Sequence, residues 1–368
     1  MRSLHQGAVR KEPILLFFGG YDPEYPRNSI IRKGWLKCGF SVFECRVSTK
    51  RKLPTRYPAL IWQYVQSRRA EHLFFVPDFR HKDVPLAWIL SRLSGKKVVF
   101  DPLVSRYETK VLDRRDAAEG SLQAWHNRNL DRLSFSLSDL ILADTAAHAR
   151  YYRQQFSLVE EKVRILPVGF DEEIFKESPL PENGEKLKVL FYGTYLPLHG
   201  VETIVEAASI LRDRPVTFNL VGKGQTYEGV RELKKKFSTE NLSFHPRLPV
   251  NELVSLMTGT DVILGIFGVT LKAGMVVPNK VYQALAVGRP VITADTPAIR
   301  ELFQDGVHLL TVPPGDARAL AHAIEALRKD PGQRRQIASQ GGSYVRSRFS
   351  SLRIAERLAT ILDERGLF

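Results

Sequence analysis

Residues 265–302 read GIFGVTLKAGMVVPNKVYQALAVGRPVITADTPAIREL, and they set the frame for the rest of the chain. A buried strand is expected from Asp261 to Phe267, followed by a loop and then a helix opening at Pro278-Asn279-Lys280. Proline suits the first turn of a helix, where its missing N–H is no loss. The amides at such a start lack intrahelical partners and carry partial positive charge, so they form a ready site for phosphate. The helix is expected to close at Gly288 with Arg289-Pro290, and a second strand, Pro290 to Ala294, follows at once.

Outward from this stretch the same alternation repeats. In the second half, strands are expected at Lys188 to Tyr192, Val216 to Val221, Leu242 to Phe244 and His308 to Val312. In the first half they are expected at Pro13 to Phe18, Phe40 to Val47, His72 to Val76, Lys97 to Asp101, Asp139 to Ala143 and Val163 to Pro167. Helical patterns fill the gaps, as a doubly wound parallel sheet requires. The polar run KESPLPENGEK, residues 176–186, reads as a linker between two such halves. The fold class is therefore α/β, with two Rossmann-like domains facing a cleft.

At 368 residues the chain suits two domains of about 150–200 residues each. Its 43% hydrophobic and 26% charged residues describe a globular protein. No apolar run approaches the roughly 20 residues of a membrane span, and MRSLHQGAVRKEP carries no apolar signal segment. The only cysteines, Cys38 and Cys45, lack metal-ligand spacing and fit a reduced cytosolic compartment. The net charge of +14 draws anionic partners: nucleotide sugars, acidic lipid head groups or nucleic acid. No helix-turn-helix, zinc-finger or RNP signature is present, so nucleic acid is the poorer use of that charge.

The decisive stretch resembles the donor-sugar site of GT-B glycosyltransferases, in particular the large retaining group called family 4. Its pattern has two glutamates eight positions apart, the second opening an E-A-M-A-x-G-x-P-V-I run. Here the run is Gln283-Ala-Leu-Ala-Val-Gly-Arg-Pro-Val-Ile, with Met275 at the place of the first glutamate. Pro167-Val-Gly-Phe-Asp-Glu-Glu-Ile-Phe resembles the text that marks the exit from the first GT-B domain, and Val312-Pro-Pro-Gly-Asp-Ala-Arg also matches. The resemblance implies domains at 1–175 (acceptor side) and 176–347 (donor side), with 348–368 a helix crossing back onto the first.

What the resemblance implies for function is transfer of a sugar, with retention, from a nucleotide-sugar donor to a glycan or lipid-linked acceptor. No metal and no cofactor beyond the donor are expected. Gly193 to Gly200 would be the diphosphate loop, but Thr194 and His199 stand where the family has Arg and Lys. Histidine can charge near neutral pH, and Asn279 and Lys280 at the helix start would supply the rest. Gln283 can hydrogen-bond ribose hydroxyls as donor and acceptor. Arg247 and Leu248 would meet the base, and Gly20, in the glycine turn after the first strand, is counted with the donor residues.

In an open α/β sheet, ligands bind beyond the carboxyl ends of strands. His81 and Asp101 are therefore catalytic candidates and Arg106 an acceptor-side one; a surface-loop histidine and a capping aspartate are the plainer readings of the first two. Leu122, Trp125, Leu130, Leu133 and Leu137 form an apolar stripe beside which His126 reads as structural. KRKLPTRYPALIWQYVQSRR, residues 50–69, fits either an amphipathic helix packed on the sheet or a segment for an anionic membrane interface. A peripheral place on the cytoplasmic membrane face is expected from it. Three other functions stay open: a GT-B chain that binds without transfer, a GT-B nucleotide-sugar epimerase, and a basic nucleic-acid binder.

Overall fold

A computed structural model describes residues 14–66, 73–182 and 184–367. Pro13, His72, the residues 67–69 that end the basic segment, and the segment before Pro13 lie outside the described residues. The first six strands are β1 (Ile14–Gly19), β2 (Ser41–Arg46), β3 (Leu73–Val76), β4 (Lys97–Phe100), β5 (Leu140–Ala143) and β6 (Val163–Ile165). They form one parallel sheet in the order β2-β1-β3-β4-β5-β6.

The next six are β7 (Leu187–Tyr192), β8 (Val216–Val221), β9 (Leu242–His245), β10 (Val262–Leu264), β11 (Val291–Ala294) and β12 (Leu310–Val312). They form a second parallel sheet, ordered β12-β11-β10-β7-β8-β9. The inner strands, short and almost wholly buried, must be covered by helices on both faces, which accounts for their runs of Val, Ile, Leu and Phe, while the edge strands β2, β6, β9 and β12 are only partly buried.

Each expected strand forms. The largest departure is β10, which ends at Leu264 and not at Phe267. Gly265 passes so close to β11 that an added Cβ would lie 2.3 Å from Thr293 Oγ1, and Ile266 N donates to that hydroxyl at 3.2 Å. Backbone bonds to β11 continue through Gly265 and Ile266, with the Thr293 hydroxyl added to them, and the regular strand pattern ends there.

Strand order reverses between β1 and β3 in one sheet and between β7 and β10 in the other. Those two switch points open crevices at the carboxyl ends, where α/β sheets bind ligands. The helix Ser351–Glu364 packs its Ile354, Ala355 and Leu358 into the same core as Ile31 and Trp35 of the helix Pro26–Lys37. Gly34 permits the contact, since a Cβ there would fall 2.0 Å from the Ser351 carbonyl oxygen. Phe170 bridges Ser350 beside it.

Candidate donor site

At the second switch point, β7 ends at Tyr192 and the chain turns through Gly193. The loop after β10 leads into the helix Asn279–Ala286, with Pro278 as its extended N-cap (φ −70°, ψ 149°) and no side-chain cap. Its first amides are therefore free of capping side chains. Lys280 is only 5% exposed, and its Nζ has no hydrogen-bond partner. That ammonium stands 3.8 Å from the centroid of the Phe191 ring. An added Cβ on Gly193 would lie 3.1 Å from both Lys280 Nζ and His199 Cε1, so glycine is what lets the three residues meet.

Burial pushes the Lys280 ammonium well below its usual range. Burial, and then the charge of Lys280, push the His199 imidazole far down as well, and its Nδ1 is unpartnered. The sequence suggests a second cation at His199; the structure makes it a neutral ring beside one. Gln283 is buried on the same helix, and its Oε1 accepts from the Tyr192 hydroxyl at 3.0 Å. One of the two groups expected to bind ribose is therefore already engaged. Thr194 is exposed, Asn279 half-buried, Arg247 exposed, and Leu248 packs against the core that contains Tyr192 and Val221.

The first domain presents a wide π-type helix, Glu108–Asp113, across the crevice. Lys272 Nζ donates to Thr109 Oγ1 at 2.6 Å, and Thr270 Oγ1 to Asp113 Oδ1 at 2.8 Å. Thr145 Oγ1 donates to the Met275 carbonyl at 2.5 Å, and Gln225 Nε2 to the Arg114 carbonyl at 2.7 Å. Behind them His148 is fully buried, with Nδ1 2.6 Å from Asp144 and Nε2 2.8 Å from Glu108. Burial alone would neutralise this ring, but Glu108 and Asp144 raise it to about 10. Glu108 is pushed up by burial and pulled down more strongly by His148 and Lys272. No residue of this cluster except Met275 is singled out by the sequence, because their partners lie far apart along the chain.

Residues 186–330 match the family described as "Glycosyl transferases group 1". They form a glycosyl transferases group 1 domain. The whole chain has the GT-B architecture: a sucrose-phosphate synthase from Thermosynechococcus elongatus superposes with a TM-score of 0.76 at 16% identity, over 97% of this chain and 99% of that one. Anabaena Alr3699/HepE, solved in complex with UDP and glucose, superposes at 0.71 with 17% identity, over 96% and 99%. Among curated proteins, an alpha-D-kanosaminyltransferase of Streptomyces kanamyceticus is 25% identical over 307 residues, 76% of this chain and 74% of that protein.

Within this GT-B frame the acceptor-side candidates fall elsewhere than expected. Asp101 is fully buried and clamps Arg27 through bonds of 2.8 and 3.0 Å. Arg27 also donates to the carbonyls of Leu166 and Pro167, so the pair fastens β4 to the exit of the domain and does not face the cleft. His81 is likewise buried, and burial with Arg106 and Arg80 lowers it to about 3. It lies 3.2 Å from Asp131 without making a hydrogen bond. Burial and the two neighbouring arginines disfavour the charged form of this ring. Gly20 N already donates to Asp83 Oδ2 at 2.8 Å, and its carbonyl accepts from Arg80, which leaves no amide there for phosphate.

Arg106 is half-buried, with Nε unpartnered, and its backbone N donates to Asp131 at 2.9 Å. Asp78, after β3, is the carboxylate the sequence reading passed over. Burial pushes it up to about 7 against a bond from Asn28, and no cationic nitrogen among the described residues lies within ion-pair distance of it. Phe79, next to it, holds a left-handed φ of 60°. His126 is exposed, as are Leu122 (87%) and Trp125 (66%), so the expected stripe does not face the core at its start. The helix Leu53–Gln66 buries Leu60 and presents Ile61, Trp62 and Val65 outward, while Arg56 is drawn inward to Asp83 at 3.0 Å.

Proposed function

We propose that this protein is a glycosyltransferase that moves a sugar, with retention, from a nucleoside-diphosphate sugar bound by residues 176–347 to an acceptor bound by residues 1–175, with 348–368 bracing the latter. The observation that carries this reading is Lys280: a desolvated, unpartnered ammonium beside an uncapped helix start and the Gly193 turn. Burying an unpaired cation is unfavourable unless a ligand completes it, and a diphosphate does so with charge-assisted bonds. The group 1 match over this same segment, and the UDP and glucose bound by the structurally similar HepE, favour a nucleotide sugar as that ligand.

Residues near the reacting centre act by position and charge. Lys280 and the helix amides stabilise the departing diphosphate. Asp78, ionising near neutrality, is the carboxylate placed at the acceptor-side switch point to meet a hydroxyl. The acceptor is lipid-linked, and the protein works at an anionic membrane surface. Exposed Trp62, Ile61 and Val65 on one helix, with Leu93 on the next, give this second part its support.

A thermal-shift panel of UDP-, GDP-, ADP- and dTDP-sugars tests the donor. Selective stabilisation by one base is expected through linkage, and a flat panel would refute the reading. Transfer to a lipid-linked acceptor separates an enzyme from a chain that only binds. Sedimentation with anionic vesicles at low salt tests the membrane part, and a protein left in the supernatant removes it.

A further inference from the structure

The group 1 pattern places an arginine and a lysine in the diphosphate loop; this chain has exposed Thr194 and neutral His199 there. One buried lysine is a poor replacement for two fixed cations around a group of charge near −2 or −3. A second cation is needed, and the donor-side loops facing Gly193 offer none that is desolvated besides Lys280 and Lys272. Lys272 is engaged with Thr109 at 2.6 Å and with Glu108 at 4.0 Å.

The facing domain offers Arg114. It follows the π-type helix and is held from both sides of the donor crevice. Gln225 Nε2 donates to its carbonyl at 2.7 Å, and the Asp113 carboxylate beside it accepts from Thr270 at 2.8 Å. The loop that carries Gln225 is seated on the diphosphate loop itself. A Cβ on Gly222 would fall 2.0 Å from the Gly193 carbonyl oxygen, and one on Gly224 would fall 3.0 Å from Thr194 Cγ2. The Arg114 backbone is thus held between Thr270 and Gln225, the latter on a loop packed against residues 193–195.

Its side chain is half-buried, its Nε is enclosed and unpartnered, and no carboxylate among the described residues pairs with it. Its charge is close enough to His199 and Lys272 to help push both down, after burial and nearer groups. Asp113, its neighbour, is itself pushed upward by burial, which weakens its hold as a counterion. Lys280 at the Gly193 turn and Arg114 in the facing domain each carry a buried nitrogen without a hydrogen-bond partner.

We infer that Arg114 is a donor-diphosphate ligand supplied from across the cleft, in place of the cations that the family pattern puts at Thr194 and His199. The inference rests on the nucleotide-sugar reading above. Because Arg114 belongs to the acceptor-side domain, the diphosphate site is complete only while the two domains are together. A bound diphosphate then adds a further link to the bonds that already join the domains.

The test uses the full chain and whichever of UDP, GDP, ADP or dTDP stabilises the wild type, with the matching monophosphate as control. Calorimetric titration of Arg114→Ala is expected to show a loss of about 10- to 150-fold in diphosphate affinity, the range for charge-assisted hydrogen bonds. The monophosphate is expected to change by less than about 3-fold, since it lacks the charge that the arginine meets. Arg114→Lys keeps a cation and should recover most of the loss, while melting temperature stays at the wild-type value in both variants. Unchanged diphosphate affinity, equal loss of mono- and diphosphate, or no rescue by lysine would each overturn the inference while the donor reading stands. If the wild type binds none of the four nucleotides, the donor reading falls first and this inference with it.

Discussion

Arg27 and Lys280 are both cations at the carboxyl end of a parallel sheet, and they are 0% and 5% exposed. Arg27 has a bidentate carboxylate and two carbonyls within 3.0 Å. Lys280 has an aromatic face and no hydrogen-bond acceptor. His148 repeats the first pattern, enclosed between two carboxylates, and His199 the second, with Nδ1 unpartnered beside a lysine. Buried charge that is complete in the free protein holds the fold together. Buried charge that is incomplete is, on the function proposed above, completed by a ligand. The two sheets share an architecture, and these buried groups differ in whether the protein itself supplies their partners.

The largest effect that could break the comparison is at Asp101. Asp101→Ala leaves Arg27 buried without its carboxylate, and removing one partner of a buried pair costs about 3–5 kcal/mol. Urea denaturation should show the unfolding free energy falling by that amount, with nucleotide affinity unchanged below the transition. Lost turnover at unaltered stability would instead restore Asp101 to the catalytic centre.

Lys280 should behave in the opposite way. Lys280→Met keeps the stem and removes the ammonium, so donor affinity should fall by about 10- to 150-fold. The melting temperature should hold or rise, because an unpaired buried cation is gone. A destabilised variant with normal nucleotide binding would make Lys280 a structural residue like Arg27.

The smallest effect is graded with pH. In the folded chain His148 titrates near 10 and not at its ordinary 6.5. Its contribution to stability is therefore complete below about pH 6.5 and is lost as pH rises toward 10. Glu108, held below its ordinary 4.5, contributes above that value and loses its contribution as pH falls. Urea unfolding free energies should decline on the alkaline side with a slope of up to about 1.4 kcal/mol per pH unit. His148→Gln should flatten that slope; an unchanged slope would assign the alkaline loss to other groups.

The fold was legible because its determinant is local. A strand buried on both faces must be a short apolar run, and PILLFF, LFFV, KVVF, LILA and VITA are such runs wherever they occur. The start of the donor helix was legible for the same reason, since Pro278, Asn279 and Lys280 are consecutive. What stayed hidden depends on partners distant in sequence. Arg27 meets Asp101 across 74 positions and Pro167 across 140, so nothing near Asp101 shows that its charge is already taken. Arg114 sits in a π-type helix exit with no periodicity to mark it, and it gains meaning only when Gln225, 111 positions on, is seen against it. The basic segment read as one surface, yet Arg56 turns inward to Asp83 while Trp62 faces solvent.

The helix Ser351–Glu364 has a consequence for how the molecule is made. It fills part of the core that the helix Pro26–Lys37 closes, with Ser351 against Gly34 and its hydroxyl donating to Glu172 at 2.8 Å. During synthesis the surface around Ile31 and Trp35 is covered on one side by the first domain's own core, and on the other only after residues 351–364 emerge. A segment more than three hundred positions downstream thus completes the packing of a helix near the start of the first domain.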